Sequence, residues 1–230
     1  KLEEMNVPAF KIGSGECNNY PLIKHIASFG KPVILSTGMN NIDSITKSVK
    51  IFEDQHIPYA LLHTTSVYPT PYDKIRLGAL NSLEKEFPNA VIGLSDHSLG
   101  IYTCLASVAL GASILEKHFT SNKSWQGPDI PLSITPVELR ELISGSEAIF
   151  QSLGGSKTIL PEEKPTIDFA YSCVVTINDI KKGEKITSEN VWVKRPGTGE
   201  IPAEDFSKIL NKKALVDIRK NVQLKMEMIE

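Results

Sequence analysis

The sequence predicts an α/β protein: about five strand–helix units of a (β/α)₈ barrel, followed by a small, mostly β module. Three observations carry this. Five short apolar runs recur between residues 9 and 115. Small, polar or ionisable residues follow each run, and then a helical pattern. After Gly154 the texture changes. Runs without polar alternation are buried on both faces, as in a parallel sheet covered by helices. That reading leaves a doubly wound sheet and a closed barrel open. Length favours the barrel, the TIM architecture: eight units take roughly 250 residues, so five need about 155. The repeating units here end near residue 155.

In chain order, the runs are Ala9 to Ile12, Pro32 to Leu35, Tyr59 to Leu62, Val91 to Leu94, and Ile114 with Leu115. Residues 1–5 ahead of them read as the middle of a helical phrase without an initiator Met, so further residues are expected upstream. Ile42, Ile45, Val49 and Phe52 follow the second run at spacings of three, four and three, which is one helical stripe. The last helix opens at Thr135 with a capping box to Glu138 and Pro136 at its first position. Leu139, Leu142, Ile143, Ile149 and Leu153 continue it to Gly154. The expected organisation is a partial barrel over 1–153, a Gly-, Pro- and charge-rich linker over 154–167, and a compact module over 168–230. That module holds β-like pieces at 172–177, 191–194 and 213–216.

Composition narrows the function. Twenty-five Lys and Arg against 27 Asp and Glu give a net charge of −2, which offers no attractive field to nucleic acid or anionic lipid. Small molecules are the expected partners. Three widely spaced cysteines support neither a disulfide framework nor a zinc ribbon, and a reducing cytoplasm fits them. No stretch approaches the roughly 18 apolar residues of a membrane helix.

The chemistry should sit where barrel strands end. His97 and His118 each close an apolar run. Side chains alternate along a strand, so Ser95 shares a face with His97, and Glu116 with His118. Two such strands side by side would set two imidazoles at one rim, half of a divalent-metal site. The other strand ends supply Lys11, Ser14, Glu16, Ser36, His63, Ser66, Tyr68 and, in a Gly-Pro loop, Asp129. A cation, several hydroxyls, imidazoles and carboxylates together suit an anionic, phosphorylated substrate beside a metal.

These phrases resemble the sialic acid synthase family, which includes N-acetylneuraminate synthase and its legionaminate and pseudaminate relatives. The matching stretches run Lys11 to Glu16, Leu35 to Met39, Tyr68 to Pro71, Gly93 to His97, Glu116 to Thr120, and Gly127 to Asp129. Phe169 and the stretch from Val191 to Gly197 resemble the antifreeze-like (SAF) domain that ends these enzymes. The resemblance implies condensation of phosphoenolpyruvate with an N-acetylated aminosugar aldehyde, N-acetylmannosamine first, and release of phosphate by C–O cleavage. It implies His97 and His118 as ligands of Mn²⁺, with Co²⁺ or Mg²⁺ as alternatives that two imidazoles do not separate. Lys11, Ser14, Ser36 and Ser95 would bind the phosphate and carboxylate, with Glu16 as an additional contact. Tyr68 and Asp129 would hold sugar hydroxyls. Phe169 and Arg195 belong to the second domain, and Arg195 would hold the N-acetyl group in a partner subunit's barrel, giving a homodimer with exchanged lids.

Two departures from the family matter. Sialic acid synthases carry Asn where this chain has Ser66, which puts the choice of sugar in question. The family's first strands supply a catalytic Glu and further phosphate-binding groups, so these 230 residues alone are expected to be inactive.

Bland readings stand beside these. Serines after strands cap helices, and His25 and His56 read as structural. His63 is evenly balanced between the structural and functional readings. Asp129 suits a turn and Arg195 a solvated surface. Lys11 within an apolar run is harder to dismiss, because a lysine is rarely buried unpaired. A keto-deoxy-octulosonate-type synthase would lack the C-terminal module. An inactive fragment or a carbohydrate- or ice-binding module is the alternative of another class; ice binding wants a flat, weakly charged face, whereas the turn of Lys181, Lys182, Glu184 and Lys185 is highly charged.

Overall fold

In the computed structural model, which describes residues 1–230, the chain divides into two units, Lys1–Gly154 and Gly155–Glu230. The first is an alternation of strands and helices: β1 (Phe10–Ile12), α1 (Tyr20–Ala27), β2 (Val33–Ser36), α2 (Ile42–Asp54), β3 (Tyr59–Thr64), α3 (Ala79–Glu86), β4 (Val91–Asp96), α4 (Tyr102–Ala109), β5 (Ile114–Lys117) and α5 (Pro136–Ser152). The strands form one sheet in the order β1-β2-β3-β4-β5, every pair parallel. A doubly wound sheet doubles back at a switch point. This sheet never does, so it is five consecutive strands of a barrel wall.

Register separates two faces. Leu35, Leu61 and Ile92 lie side by side and are buried against the helices, in a core that includes Phe10, Ile23, Val49, Phe52, Leu80 and Leu83. On the other face Ser36, Leu62, Gly93 and Ile114 form one row, and Thr64, Ser95 and Glu116 form the next. β3, β4 and β5 each run two residues past their apolar runs, to Thr64, Asp96 and Lys117. Hydropathy ends a strand too early here because the polar tips stay in the ladder, buried through hydrogen bonds.

Helix starts follow the sequence closely. Asn41 caps α2 by accepting from Ser44 N at 3.0 Å, and Ser44 Oγ accepts in return from Asn41 N at 3.2 Å. At α5, Glu138 N donates to Thr135 Oγ1 at 3.3 Å, and Glu138 Oε2 accepts from Thr135 N at 2.8 Å. The expected apolar stripe of α5 is only partly covered: Leu142 is buried, whereas Ile143 is exposed. α5 packs on α4 at one flank, and β5 is the last strand of the sheet, so nothing in this unit covers the rest. Residues 1–6 form turns rather than a helix, with Asn6 in the left-handed region at φ 52°.

In the second unit, the expected linker carries structure of its own. A 3-10 turn at Pro161–Glu163 leads into α6 (Lys164–Ala170), because Pro161 and Pro165 sit at first-turn positions where no amide donor is required. Leu160 N donates to Glu163 Oε2 at 2.7 Å. β6 (Cys173–Thr176) and β7 (Val191–Lys194) pair antiparallel, and α7 (Phe206–Ile209) follows. The expected strand at 213–216 is reduced to single bridges, Lys185 with Lys213 and Ala214 with Ile229. An aliphatic core of Val174, Ile180, Ile186, Val191, Ile209, Ile218 and Leu224 closes the unit without a long ladder. All three cysteines are free and buried, and no helix is long and apolar enough to cross a membrane.

Gly93 is the tightest point of the wall. A Cβ there would lie 2.5 Å from the Ile114 carbonyl oxygen and 2.5 Å from Leu62 Cδ2. Gly93→Ala is therefore expected to destabilise the first unit by about 1–3 kcal/mol, read as a lower urea midpoint.

Candidate active site

Parallel pairing of β4 with β5 sets Ser95 opposite Glu116 and Asp96 opposite Lys117. One residue further, His97 and His118 face each other with ring centroids 5.3 Å apart and planes at 64°. His97 is buried, and its Nδ1 lies 3.0 Å from the Thr65 carbonyl oxygen. A carbonyl only accepts, so Nδ1 carries the proton and Nε2 keeps its lone pair. Burial lowers the His97 pKa, partly offset by the Thr65 carbonyl, so the ring is neutral at physiological pH. Tyr68 stacks on His97 at 4.1 Å and meets His118 edge-on at 5.9 Å. Burial raises the Tyr68 hydroxyl pKa, helped by the negative charges of Asp129 and Glu116. Asp129 Oδ2 lies 3.6 Å from His118 Nδ1.

The rest of the cavity wall is built by β1, β2 and the tips of β4 and β5. Lys11 Nζ donates to Ser36 Oγ at 2.8 Å and lies 3.4 Å from Glu116 Oε2. Ser95 Oγ donates to Glu116 Oε1 at 2.7 Å. The anion that a lysine in an apolar run demands is thus, in this structure, the chain's own Glu116. Ser14 Oγ accepts from Gly38 N at 2.9 Å. A Cβ on Gly38 would fall 2.3 Å from Ser66 Oγ and 2.9 Å from Ser14 Oγ, so glycine lets three loop ends converge.

Lys11, Ser14, Ser36, Ser66, Tyr68, Ser95, His97 and His118 line a single cavity of about 380 Å³. Asp129 stands at its edge, beside His118. Glu16 does not join it: its carboxylate is exposed and accepts from Asn19 Nδ2 at 2.6 Å, at the end of the 3-10 turn after β1. Phe169 and Arg195 belong to the second unit, where both are exposed. His63 points to the helix side of the wall, next to Leu94, with Nε2 2.7 Å from the Ile75 carbonyl oxygen. That settles its even balance in favour of structure. Glu116 lines the cavity without having been assigned a role from sequence; the alternation that places it on His118's face is the signal that finds it.

The donor set suits a divalent ion in part. No group of three or more His, Cys, Asp or Glu side chains converges as a complete metal shell. Two imidazoles on one cavity wall fit an ion that takes its remaining ligands from water or substrate.

Comparison with known proteins agrees with this architecture. Residues 1–158 match the NeuB family, and residues 171–230 match the SAF domain. An uncharacterized protein of Methanocaldococcus jannaschii is 45% identical over 214 residues, 92% of this chain and 63% of its own length. The N,N'-diacetyllegionaminic acid synthase of Campylobacter jejuni is 39% identical over 217 residues, 92% of this chain and 63% of its own. The chain therefore spans less than two thirds of these curated relatives. Among solved structures, the N-acetylneuraminic acid (sialic acid) synthetase of Leptospira borgpetersenii, in complex with citrate, superposes with a TM-score of 0.68 at 37% identity. That match covers 72% of this chain and 58% of the other.

His63 gives the fold a pH dependence. Burial lowers its folded pKa below the unfolded value, so the unfolded chain binds the proton more readily. Its contribution is fully present above the unfolded pKa, near 6.5, and is lost as pH falls below it. The urea midpoint is expected to drop between about pH 7 and about pH 5.5, and His63→Gln to flatten that drop. An unchanged slope in the variant would contradict the assignment.

Proposed function

The chain belongs to the NeuB family, and from that premise we propose that it carries the metal- and phosphoenolpyruvate-binding part of a nine-carbon sugar-acid synthase, with N-acetylmannosamine as the aldehyde. The observation that carries the reading is the single cavity in which two neighbouring imidazoles face Lys11 and four serines. In the reaction C3 of phosphoenolpyruvate bonds to the sugar aldehyde carbon, water adds at C2, and the C2–O bond breaks to release phosphate. The aldehyde oxygen takes a proton and becomes a hydroxyl.

Each side chain has a part in this. Lys11, Ser14, Ser36 and Ser95 bind the phosphate and carboxylate, where charge-assisted hydrogen bonds hold the dianion against the wall. Glu116 neutralises Lys11 before substrate arrives and yields the ammonium and the Ser95 hydroxyl to it. Tyr68 and Asp129 orient sugar hydroxyls. His97 and His118 would hold the divalent ion, Mn²⁺ in first place and Co²⁺ or Mg²⁺ as alternatives. When bound, such an ion supplies Lewis-acid polarisation of the aldehyde. The lone pair fixed on His97 Nε2 by the Thr65 contact is the group prepared for it. In the same reading Arg195 of one protomer reaches the N-acetyl group in its partner's cavity.

Titration calorimetry of the chain with Mn²⁺ is expected to show binding that His97→Ala or His118→Ala abolishes; equal binding by the folded variants would overturn the ligand assignment. The five-stranded sheet is open at β1 and β5, whereas a closed barrel of this class has eight strands, so turnover is expected only once the wall is completed. Grafting the opening part of the Campylobacter relative ahead of Lys1 should give phosphate release from phosphoenolpyruvate that requires Mn²⁺ and sugar. His118→Ala should then lower it roughly a hundredfold.

A second reading is favoured by Ser66, where sialic acid synthases carry Asn, and by the 39% identity to the legionaminic acid enzyme. It replaces N-acetylmannosamine with a 2,4-diacetamido-trideoxy sugar. The kcat/KM ratio of the two sugars in the completed barrel decides: N-acetylmannosamine is expected to be preferred by roughly tenfold or more, and a reversed ratio establishes the second reading.

A further inference from the structure

We propose that Asp96 and Lys117 are positioning residues: a buried ion pair on the helix side of the wall that locks the β4–β5 register and thereby holds His97 and His118 side by side. The proposal rests on the reading of those imidazoles as the metal-binding pair, and it adds two side chains that never face the cavity.

Lys117 Nζ lies 2.7 Å from Asp96 Oδ2, with side chains 3% and 0% exposed. Asp96 Oδ2 also accepts from Ser98 Oγ at 2.9 Å and from Thr103 Oγ1 at 2.9 Å, and Asp96 Oδ1 accepts from Ser98 N at 3.1 Å. The Cys104 thiol approaches Asp96 at 3.6 Å. Lys117 Nζ donates in addition to the Ser98 carbonyl. The residues before and after His97 are therefore both tied to the residue before His118. Burial on its own would raise the Asp96 pKa; the Lys117 ammonium and the Ser98 donors outweigh it and bring the carboxyl below the ordinary range.

Position in the ladder gives the pair its role. Asp96 opposite Lys117 is the last paired position of β4 with β5. The two histidines lie one residue beyond it, where no further β4–β5 pairing fixes their spacing. A slip of one residue would turn one imidazole to the helix side while leaving its partner in the cavity. An apolar pair at this rung would be buried equally well, but its contacts have no direction and do not exclude that slip. Removing one member leaves an uncompensated buried charge, so single variants confound positioning with stability.

The test therefore uses the double variant Asp96→Asn/Lys117→Met, which removes both charges, with the milder Thr103→Val beside it. Two readouts are taken on the intact chain. In the metal-free protein, the imidazole CH resonances of both His97 and His118 report the ring current of Tyr68, which stacks on the first at 4.1 Å and meets the second edge-on at 5.9 Å, so a change of β4–β5 register alters the two shifts relative to each other. Calorimetry then reports Mn²⁺ affinity. The double variant is expected to lose the ring-current shift and to bind Mn²⁺ roughly 10- to 100-fold more weakly while its urea midpoint stays within reach of the parent. Thr103→Val should shift both readouts in the same direction by less.

A folded double variant with parental ring-current shift and parental affinity would overturn the proposal. Should the double variant not fold, unchanged readouts in Thr103→Val would overturn it instead. If the parent chain itself binds no Mn²⁺, the metal reading fails, and the ring-current shift still decides whether the pair positions the histidines.

Discussion

The parallel register between β4 and β5 is the constraint on which the site depends. Period-two alternation gives each residue of a strand a fixed face, and register decides which residues of the neighbour share it. With Ser95 opposite Glu116, the hydroxyl, the carboxylate and the two imidazoles all fall on one side of the wall, while Asp96, Lys117 and Leu94 fall on the other. Neither histidine is placed by the hydrophobic core directly. Both stand just past the ends of strands that pack against helices on one face, and the ladder carries that placement up to the rim.

Charge is distributed with the same economy. The inner face carries one ammonium, Lys11, against one carboxylate, Glu116, with hydroxyls on either side. This pair is partly solvated, and so its members can exchange partners at little cost. The outer face carries Lys117 against Asp96, dry and fully hydrogen-bonded, a pair that cannot exchange without a heavy desolvation penalty. One lysine–carboxylate pair is labile at the cavity wall, and the other is fixed on the helix side. The chemical groups are the same; burial and the added hydrogen bonds of the outer pair make the difference.

Much of the fold is legible in the chain. The five apolar runs, the stripe of α2 and the capping box at Thr135 each reflect local rules, and each appears where those rules place it. The polar strand tips were not legible from hydropathy, because Thr64, Asp96 and Lys117 are buried by partners distant in sequence. For the same reason the second unit's 213–216 segment reads as a strand and folds as isolated bridges: its partners Lys185 and Ile229 are separate single residues on either side of it in the chain, not one neighbouring strand. At the site, the histidine pair, the serines and Lys11 followed from alternation and motif. Glu116 needed the register to acquire a role, and His63 needed the helix-side contact with Ile75 to lose one. Glu16 lies inside a matching motif, and its side chain turns along the 3-10 segment to Asn19 rather than lining the cavity.

Gly38 has a consequence for how such a pocket can diversify. Its missing side chain leaves a void that Ser66 and Ser14 enter from different loops. Position 66 can therefore exchange one small polar group for another while the strand ends beneath it stay fixed. A chain that keeps glycine at 38 retains a seam at which position 66 can change in size and polarity while Lys11, Ser36 and the paired imidazoles around the same cavity stay where they are.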